Sequence, residues 1–221
     1  MSTDSDSGIV VRNLSHSYDN EPVLQEIDWS LKPSDRWVLL GPSGAGKTTL
    51  AEIIAGLTQP NRGGTILRNG DETPNLAQWR RRVSWLSTDL LDRIPKRQSV
   101  LDTVVAGKHS QTLKAERSGL SYSPEDENRA RGLLERVGLS ERAQQRFGDL
   151  SQGEAQLSLV ARSFMGTPEL MILDEPCAGL DPGGREQFLV EFDSFLEEHQ
   201  RATVVYVTHH VEEILPTFGQ V

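Results

Sequence analysis

The sequence has 221 residues, a length that suits one large domain or two small ones, and its composition is ordinary for a soluble globular protein. The formal net charge is −9, which excludes a general electrostatic affinity of the chain for nucleic acid or anionic membranes, so nucleic acid is not an expected partner. One cysteine, Cys177, excludes an intramolecular disulfide and fits a reducing compartment, and no run approaches the 18 apolar residues of a membrane-spanning helix.

The chain begins with a polar, acidic stretch, residues 1–7, that predicts a disordered tail. It has neither the basic start nor the apolar run of a secretory signal. Residues 8–40 alternate apolar and polar side chains between turn residues, which predicts short strands. The last of these strands, Val-Leu-Leu at 38–40, leads directly into a glycine-rich loop.

The loop reads G-x-x-x-x-G-K-T. Glycines at this spacing let the backbone curl until successive N–H groups point at a phosphate chain, and the following helix directs its positive end to the same place. Lys47 is expected to reach the β- and γ-phosphates, and the Thr48 hydroxyl to coordinate Mg²⁺. The strand before and the helix after make a ligand-free glycine turn the weaker alternative. The predicted phosphate-binding residues are Gly41, Pro42, Ser43, Gly44, Ala45, Gly46, Lys47, Thr48 and Thr49.

The region after the loop is predicted to begin with a helix that ends at Gly56. Its apolar face repeats at i, i+3, i+4 and i+7, through Leu50, Ile53, Ile54 and Leu57. Residues 63–70 predict a strand that ends in an Asn-Gly turn.

Residues 72–148 are more polar, and their pattern is helical. One helix is predicted from a cap at Ser123 to Gly138, with proline at its first position. A βαβ crossover needs far fewer residues, so we predict a helical insertion over about 76–165.

Two later segments carry candidate functional groups. Ser151 and Glu154 have the S-x-x-E spacing of a capping box, and capping alone explains this spacing at least as well as a functional role. The apolar run before Asp174 and Glu175 predicts a strand buried on both faces, whose carboxyl end is where ligands bind in open α/β folds. The two acids could be merely solvated, but a phosphate loop in the same chain favours a magnesium-side Asp174 and a catalytic Glu175.

The last quarter of the chain predicts a helix over 183–199, whose phenylalanines belong to the core, and a buried strand over 203–207. That strand ends at His209 and His210. Adjacent residues on a strand point to opposite faces, so His210 is not expected to share a site with His209. Without further ligands, the pair is also a poor metal site.

Taken together, these motifs resemble the nucleotide-binding domain of the ATP-binding cassette (ABC) superfamily over nearly the whole chain. The phosphate loop, a signature-like run at 150–154, Asp174-Glu175, residues 178–181 and His209 occur in the order of that family. The second half looks most like soluble ABC ATPases labelled molybdenum-transport ATP-binding proteins. The resemblance implies a single α/β domain over 8–221: a P-loop NTPase core with a parallel-rich sheet, an N-terminal antiparallel β-subdomain and an inserted helical subdomain. It also implies that C-terminal strands are missing after Val221.

The resemblance assigns roles in the hydrolysis of MgATP to ADP and phosphate. Tyr18 matches the aromatic residue that stacks on adenine, although an aromatic near a strand end is often a core residue. Lys47 binds phosphate, and Thr48 and Asp174 bind Mg²⁺. Glu175 polarises the attacking water, and His209 contacts the γ-phosphate.

The resemblance also implies partners. In this family the signature residues, here Ser151, Gln152 and Gly153, contact the nucleotide bound to a second ATPase subunit in a head-to-tail dimer, and Asp181 lies at the same interface. A separate membrane permease is a further implied partner, with the chain in the cytoplasm, in contact with the inner face of the plasma membrane.

The chain also departs from the family pattern. Gln152 and Glu154 stand where the signature usually has Gly and Gln, and Glu154 would oppose a phosphate unless its side chain turns back to its own helix cap. Leu157 occupies the region of a common arginine, and Thr88 stands near the place of the lid glutamine that links the site to a permease. Three uses therefore stay open: a transporter subunit, a soluble ABC ATPase without a transport role, and a nucleotide switch that does not hydrolyse.

Overall fold

The computed structural model describes residues 8–72, 74–110, 112, 114 and 121–221, so the predicted tail at 1–7 lies outside the described residues. The strands are β1 (Ile9–Tyr18), β2 (Glu21–Leu31), β3 (Arg36–Leu40), β4 (Thr65–Arg68), β5 (Val83–Ser87), β6 (Leu170–Asp174) and β7 (Val204–Thr208). The α-helices are α1 (Lys47–Ala55), α2 (Leu76–Arg80), α3 (Thr88–Arg93), α4 (Val100–Val105), α5 (Pro124–Arg136), α6 (Gln152–Ser163) and α7 (Pro182–Glu198).

The strands form two separate sheets. The first is antiparallel, with the order β2-β1-β4, and is built mainly from the N-terminal segment. The second is parallel, with the order β3-β7-β6-β5. Gln220 adds a parallel bridge to Trp37 beside β3. This combination agrees with the predicted parallel core and antiparallel N-terminal subdomain.

The central strands of the parallel sheet, β6 and β7, are buried on both faces, as their apolar runs predict. In β6, Leu170 and Ile172 belong to a core that the sheet shares with α1 and the antiparallel sheet. Met171 and Leu173 point to the other side and pack in a second core against α4, α5, α6 and α7. The phenylalanines of α7 lie in this second core, which confirms the prediction made for them: Phe188, Phe192 and Phe195.

Helix α1 follows the glycine-rich loop and ends where the sequence predicts. Gly56 adopts the left-handed conformation with φ 76°, and its N–H closes the helix onto carbonyls of the last turn. Ile53 and Ile54 are fully buried. The prediction for Leu57 is wrong, because the helix has already ended and Leu57 is 49% exposed.

The hairpin turn after β4 forms as predicted. Asn69 and Gly70 both have positive φ, 53° and 79°, which is the conformation that an Asn-Gly turn favours. Asp71 then pairs with Arg68 in a short antiparallel bridge.

The range predicted as a helical insertion, 76–165, contains one strand of the parallel sheet. Strand β5 pairs with β6 along its whole length, from Val83 opposite Leu170 to Ser87 opposite Asp174. The short pattern Val-Ser-Trp-Leu-Ser was too brief to separate from the polar helices around it. Among the described residues, the helices of this range that follow β5 therefore begin at Thr88, with α3.

Helix α5 shows the predicted start and stop. The Ser123 side chain accepts from the Asp126 N–H, and the Asp126 carboxylate accepts from the Ser123 N–H, which completes a capping box. Gly138 follows the helix with φ 71°. Among the described residues, no helix combines the length and the apolar content needed to cross a bilayer.

Candidate functional site

The candidate site lies where neighbouring parallel strands reach their carboxyl ends. Leu40, the last residue of β3, is in register with Thr208, the last residue of β7. Asp174 at the end of β6 is in register with Val207. The glycine-rich loop, the two acids and the histidine pair therefore leave one edge of one sheet, which is the expected ligand position in an open α/β fold.

The glycine-rich loop requires glycine at its last turn. Gly46 has φ 83° and forms the N-cap of α1. A Cβ at this position would lie 2.9 Å from the Val23 carbonyl oxygen and 2.9 Å from a Leu24 methyl carbon, so a side chain would collide with β2. The loop thus reaches its helix only by passing against the antiparallel sheet.

The first two residues of α1 make the contacts that hold the loop: Lys47 binds carbonyls within the loop, and Thr48 binds the end of β6. The Lys47 ammonium donates to the carbonyls of Gly41 at 2.8 Å and Pro42 at 3.0 Å, so it lies across the loop. Thr48 Oγ1 donates to Asp174 Oδ1 over 3.0 Å. Residues separated by 126 positions in sequence therefore contact one another directly.

Asp174 is held in an environment that disfavours its charge. Burial raises the pKa of its carboxyl group, the hydrogen bond from Thr48 lowers it, and the neighbouring Glu175 raises it again. The net pKa is above the ordinary aspartate value. A cation bound beside this carboxylate would offset the unfavourable contributions, which makes the position chemically suited to a metal ligand.

Glu175 and His209 form a pair at the same edge. His209 Nδ1 lies 3.1 Å from Glu175 Oε1, and both side chains are about one-third exposed. Glu175 also has a φ of 49°, a strained conformation for a residue other than glycine. Such strain persists only where the surroundings enforce it, and it is concentrated at functional sites.

The prediction that the two histidines point to opposite faces is wrong. Strand β7 ends at Thr208, so the alternation of a strand no longer applies to the next two residues. The rings of His209 and His210 lie 4.1 Å apart at an angle of 38°. His210 also contacts Glu212, with Nδ1 3.2 Å from Oε1. His210 therefore packs against the candidate site without contacting Glu175.

Tyr18 ends β1 and is 48% exposed, with its ring edge-on to His16 at 4.7 Å. Its partner in the hairpin is Glu21, two residues before Val23, the residue that meets the glycine-rich loop. This end of the antiparallel sheet therefore borders the loop, and the exposed tyrosine ring is available to a planar ligand.

The signature-like segment forms a complete capping box at the start of α6. The Ser151 side chain accepts from the Glu154 N–H at 3.2 Å, and the Glu154 carboxylate accepts from the Ser151 N–H at 2.8 Å. Burial raises the pKa of Glu154, but hydrogen bonds with Ser151 and with Arg142 outweigh it and hold this pKa below the usual value. Glu154 thus turns back to its own helix cap, the orientation in which its carboxylate would not oppose a bound phosphate.

Gln152, Gly153 and Asp181 lie together at the adjoining N-termini of α6 and α7. Gln152 Nε2 donates to the Ala178 carbonyl at 2.9 Å, and a Cβ on Gly179 would lie 2.8 Å from that nitrogen. Asp181 caps α7 by accepting from the Gly184 N–H at 2.7 Å. Residues 175–178 connect these helix N-termini to the Glu175–His209 pair, since the Ala178 N–H donates to the Glu175 carbonyl at 3.0 Å.

Sequence reasoning missed a buried group of side chains behind the histidine turn, the segment of residues 208–213. Glu213 accepts hydrogen bonds from the hydroxyls of Tyr206 and Thr208, and Tyr206 Oη also lies 3.4 Å from Cys177 Sγ. Burial raises the pKa of Cys177 to about 12, so this thiol stays protonated two residues from Glu175. The tyrosine, threonine and glutamate occur at strand and turn positions that read as ordinary core or surface, so the pattern gave no signal.

An open cavity of about 800 Å³ lies elsewhere, at the amino ends of β6 and β7 between α5 and α7. Its lining includes Arg129, Phe164 and His199 and none of the predicted site residues. The candidate site is therefore defined by its converging donors and acids rather than by this cavity.

Comparison with known proteins decides the family. The sequence pattern described as ABC transporter matches residues 24–178, more than half of the chain. The chain belongs to the ABC transporter family. This ABC ATPase domain binds nucleotide and hydrolyses ATP to ADP and phosphate, as an energy-coupling domain.

Individual relatives agree with this assignment. The uncharacterized ABC transporter ATP-binding protein YlmA of Bacillus subtilis (strain 168) is 34% identical over 212 residues, which cover 94% of this chain and 78% of the relative. The molybdate/tungstate import ATP-binding protein WtpC of Pyrococcus horikoshii is 30% identical over 93% of this chain and 56% of the relative. The solved structure of cbiO1 from Clostridium perfringens, part of the ABC transporter complex cbiONQ, shares the fold with a TM-score of 0.79 at 23% identity, over 95% of this chain and 81% of that chain.

Proposed function

We propose that this ABC ATPase domain holds MgATP between its glycine-rich loop and the end of β6. The contact of Thr48 with Asp174 over 3.0 Å carries the proposal, because it joins a phosphate-binding loop to an acid on a neighbouring strand. Backbone N–H groups of the loop and the N-terminus of α1 would bind the β- and γ-phosphates. The Lys47 ammonium would exchange at least one carbonyl partner for a phosphate oxygen.

The residues present fit a magnesium ion carried by the nucleotide. Thr48 and Asp174 offer hard oxygen ligands, and no cluster of three or more metal-binding side chains occurs in the part of the chain that the structure describes. Mg²⁺ usually takes one or two protein ligands, with water and phosphate oxygens completing its shell. When bound, it would neutralise charge that develops on the phosphates.

The chain's own residues then have separable tasks in hydrolysis. Glu175 would orient and deprotonate the attacking water, and His209, 3.1 Å away, would hold the carboxylate in place and donate to the γ-phosphate. The exposed ring of Tyr18 would stack on the adenine base. Most of the rate enhancement would come from positioning and charge stabilisation.

The proposed active form is a head-to-tail dimer, joined by ATP. Ser151, Gln152 and Gly153 would bind the γ-phosphate held by the second subunit, because the capping box leaves the N–H groups of Gln152 and Gly153 at the start of α6 for an anion. The pairing of Glu154 with Arg142 at 2.9 Å supports this role, because the arginine offsets the negative charge of a carboxylate that would otherwise repel the phosphate. Asp181 would lie at the same interface.

A matched pair of variants separates capping from phosphate binding at Ser151. We expect Ser151→Ala and Ser123→Ala each to cost about 1 kcal/mol of stability, since both remove the serine of a capping box, at α6 and α5 respectively. For a chain of this size the loss lowers Tm by roughly 2–4 °C. Only Ser151→Ala should also lower ATP turnover, by about a hundredfold, because it removes a donor aimed at developing charge. Equal turnover in the two variants, measured by phosphate release, would reduce Ser151 to a cap.

We further propose that the domain drives a separate membrane permease from the cytoplasmic face. Several relatives are named as transport proteins, and the helices that follow β5, α3 to α6, would provide the docking surface. The experiment is a pull-down of the full chain from native membranes, with ATP present. Recovery of one integral membrane protein at a fixed ratio is expected, and recovery of cytoplasmic proteins alone would contradict the transport role.

A soluble ABC ATPase without a transport role is the second candidate. Thr88, exposed at the start of α3, stands near the expected place of the glutamine that links the family's nucleotide site to a permease. The same pull-down distinguishes the two, because this candidate predicts a cytoplasmic assembly as the partner. A nucleotide switch without hydrolysis would release no phosphate from ATP.

A further inference from the structure

A buried carboxylate lies directly behind the histidine turn. Glu213 is 2% exposed and ends a short helical turn, Val211–Glu213, that follows β7. Its Oε2 accepts from the Thr208 hydroxyl at 2.7 Å and from the Tyr206 hydroxyl at 3.1 Å. Its Oε1 lies 3.9 Å from Nε of Arg185 in α7. One carboxylate thus receives two hydroxyls from β7 and faces one cation from a helix.

These contacts fix the chain segment that carries His209. Thr208 Oγ1 donates to Glu213 and also accepts from the His210 N–H at 3.0 Å, so this one hydroxyl spans the histidine turn. Arg185 also pairs with Glu212 at 3.1 Å. The turn is therefore attached to its own strand at one end and to α7 at the other.

The same group extends to the chain just beyond Glu175. The hydroxyl of Tyr206, besides donating to Glu213, lies 3.4 Å from Cys177 Sγ. Both partners of the Glu175–His209 pair are thus followed by residues that meet in one buried hydrogen-bonded cluster.

Burying a carboxylate costs free energy even when it is well paired, and apolar residues of similar volume often give equal or greater stability. A role in setting geometry therefore explains this cluster better than stability does. We propose that Glu213 is a positioning residue, which fixes the turn of residues 208–213 so that His209 faces Glu175 and the γ-phosphate. The inference rests on the role proposed above for His209.

Glu213→Gln tests the proposal with little change in size. A carboxylate has two accepting oxygens, whereas an amide has one accepting oxygen and one donating nitrogen. Glutamine therefore cannot accept from the two hydroxyls and also present an oxygen to Arg185. We expect kcat to fall about tenfold, since small misplacements of catalytic groups have effects of this size or more. KM for ATP should stay within about threefold, because the glycine-rich loop is unaffected. Thr208→Val, which removes the spanning hydroxyl, should act in the same direction and serves if the glutamine variant does not fold.

The decisive comparison places each variant in a His209→Ala background. If Glu213 acts through His209, Glu213→Gln has no further effect on kcat once the imidazole is gone. A purely structural role would lower kcat by the same factor in both backgrounds, and that result would overturn the proposal. Glu169→Gln, which makes the same change at an exposed glutamate next to the other end of β6, is the matched control and should keep kcat within twofold.

Turnover of the single variants separates a wrong role for His209 from a wrong role for Glu213. If His209→Ala leaves turnover unchanged, the role proposed for His209 is wrong, and the inference falls with it. If His209→Ala lowers turnover and Glu213→Gln does not, only the positioning role of Glu213 is wrong.

Discussion

Glu175→Gln should abolish ATP turnover while leaving ATP binding intact. Glutamine keeps the size of the side chain but cannot accept the proton of the attacking water, and loss of a general base costs about 10²- to 10⁴-fold. The amide also removes a negative charge beside the proposed position of the γ-phosphate and beside Asp174, whose pKa the Glu175 carboxylate raises. ATP should therefore stay bound without being cleaved.

The same variant should trap the proposed dimer. Size-exclusion chromatography with MgATP is expected to show the mass of two chains for Glu175→Gln and of one chain without nucleotide. Glu169→Gln is the matched control, since Glu169 stands just before the other end of β6, where it pairs with Arg82 on the surface. Exposed pairs contribute about 0–1 kcal/mol, so this control should turn over ATP normally. Normal turnover by Glu175→Gln would contradict its assignment as the water-activating group.

Lys47→Ala should remove measurable ATP binding. The ammonium contacts the loop carbonyls of Gly41 and Pro42 and is the cation at the start of α1. Truncating one partner of a desolvated charge pair costs about 2–5 kcal/mol, or roughly 30- to several thousand-fold in Kd. Isothermal titration calorimetry measures the loss.

The control for this variant is Lys32→Ala. Lys32 is exposed and precedes the opposite end of β3, so it tests removal of a positive charge from the chain as a whole. Its affinity for ATP should match that of the unaltered protein. Comparable affinity for all three proteins would show that Lys47 does not contact phosphate.

The sequence predicted the site edge because the relevant patterns are local. Each strand end is marked in the sequence by residues next to it: a glycine-rich loop, two acids or a histidine. Parallel strands bring these ends together at one edge of the sheet. The helix cap at Ser123 and the Asn-Gly turn were likewise predictable, since each depends on a few adjacent residues.

The remaining features depend on contacts between distant segments, which periodicity does not encode. Strand β5 was hidden among polar helices because five residues give too short a pattern, and its membership of the sheet depends on pairing with β6. The two histidines were misplaced because β7 ends one residue before them. The cluster around Glu213 joins α7, β7 and a turn, so only the folded chain brings its members together.

The central claim is that the glycine-rich loop and the end of β6 bind one magnesium-bound triphosphate. The most direct test is titration of the unaltered protein with ATP, with and without Mg²⁺, by isothermal titration calorimetry. We predict saturable binding at about 1 mM ATP or below, the usual range for enzyme substrates, with higher affinity when Mg²⁺ is present and lower affinity for Asp174→Asn. No binding at these concentrations, or binding that ignores both Mg²⁺ and Asp174, would contradict the claim.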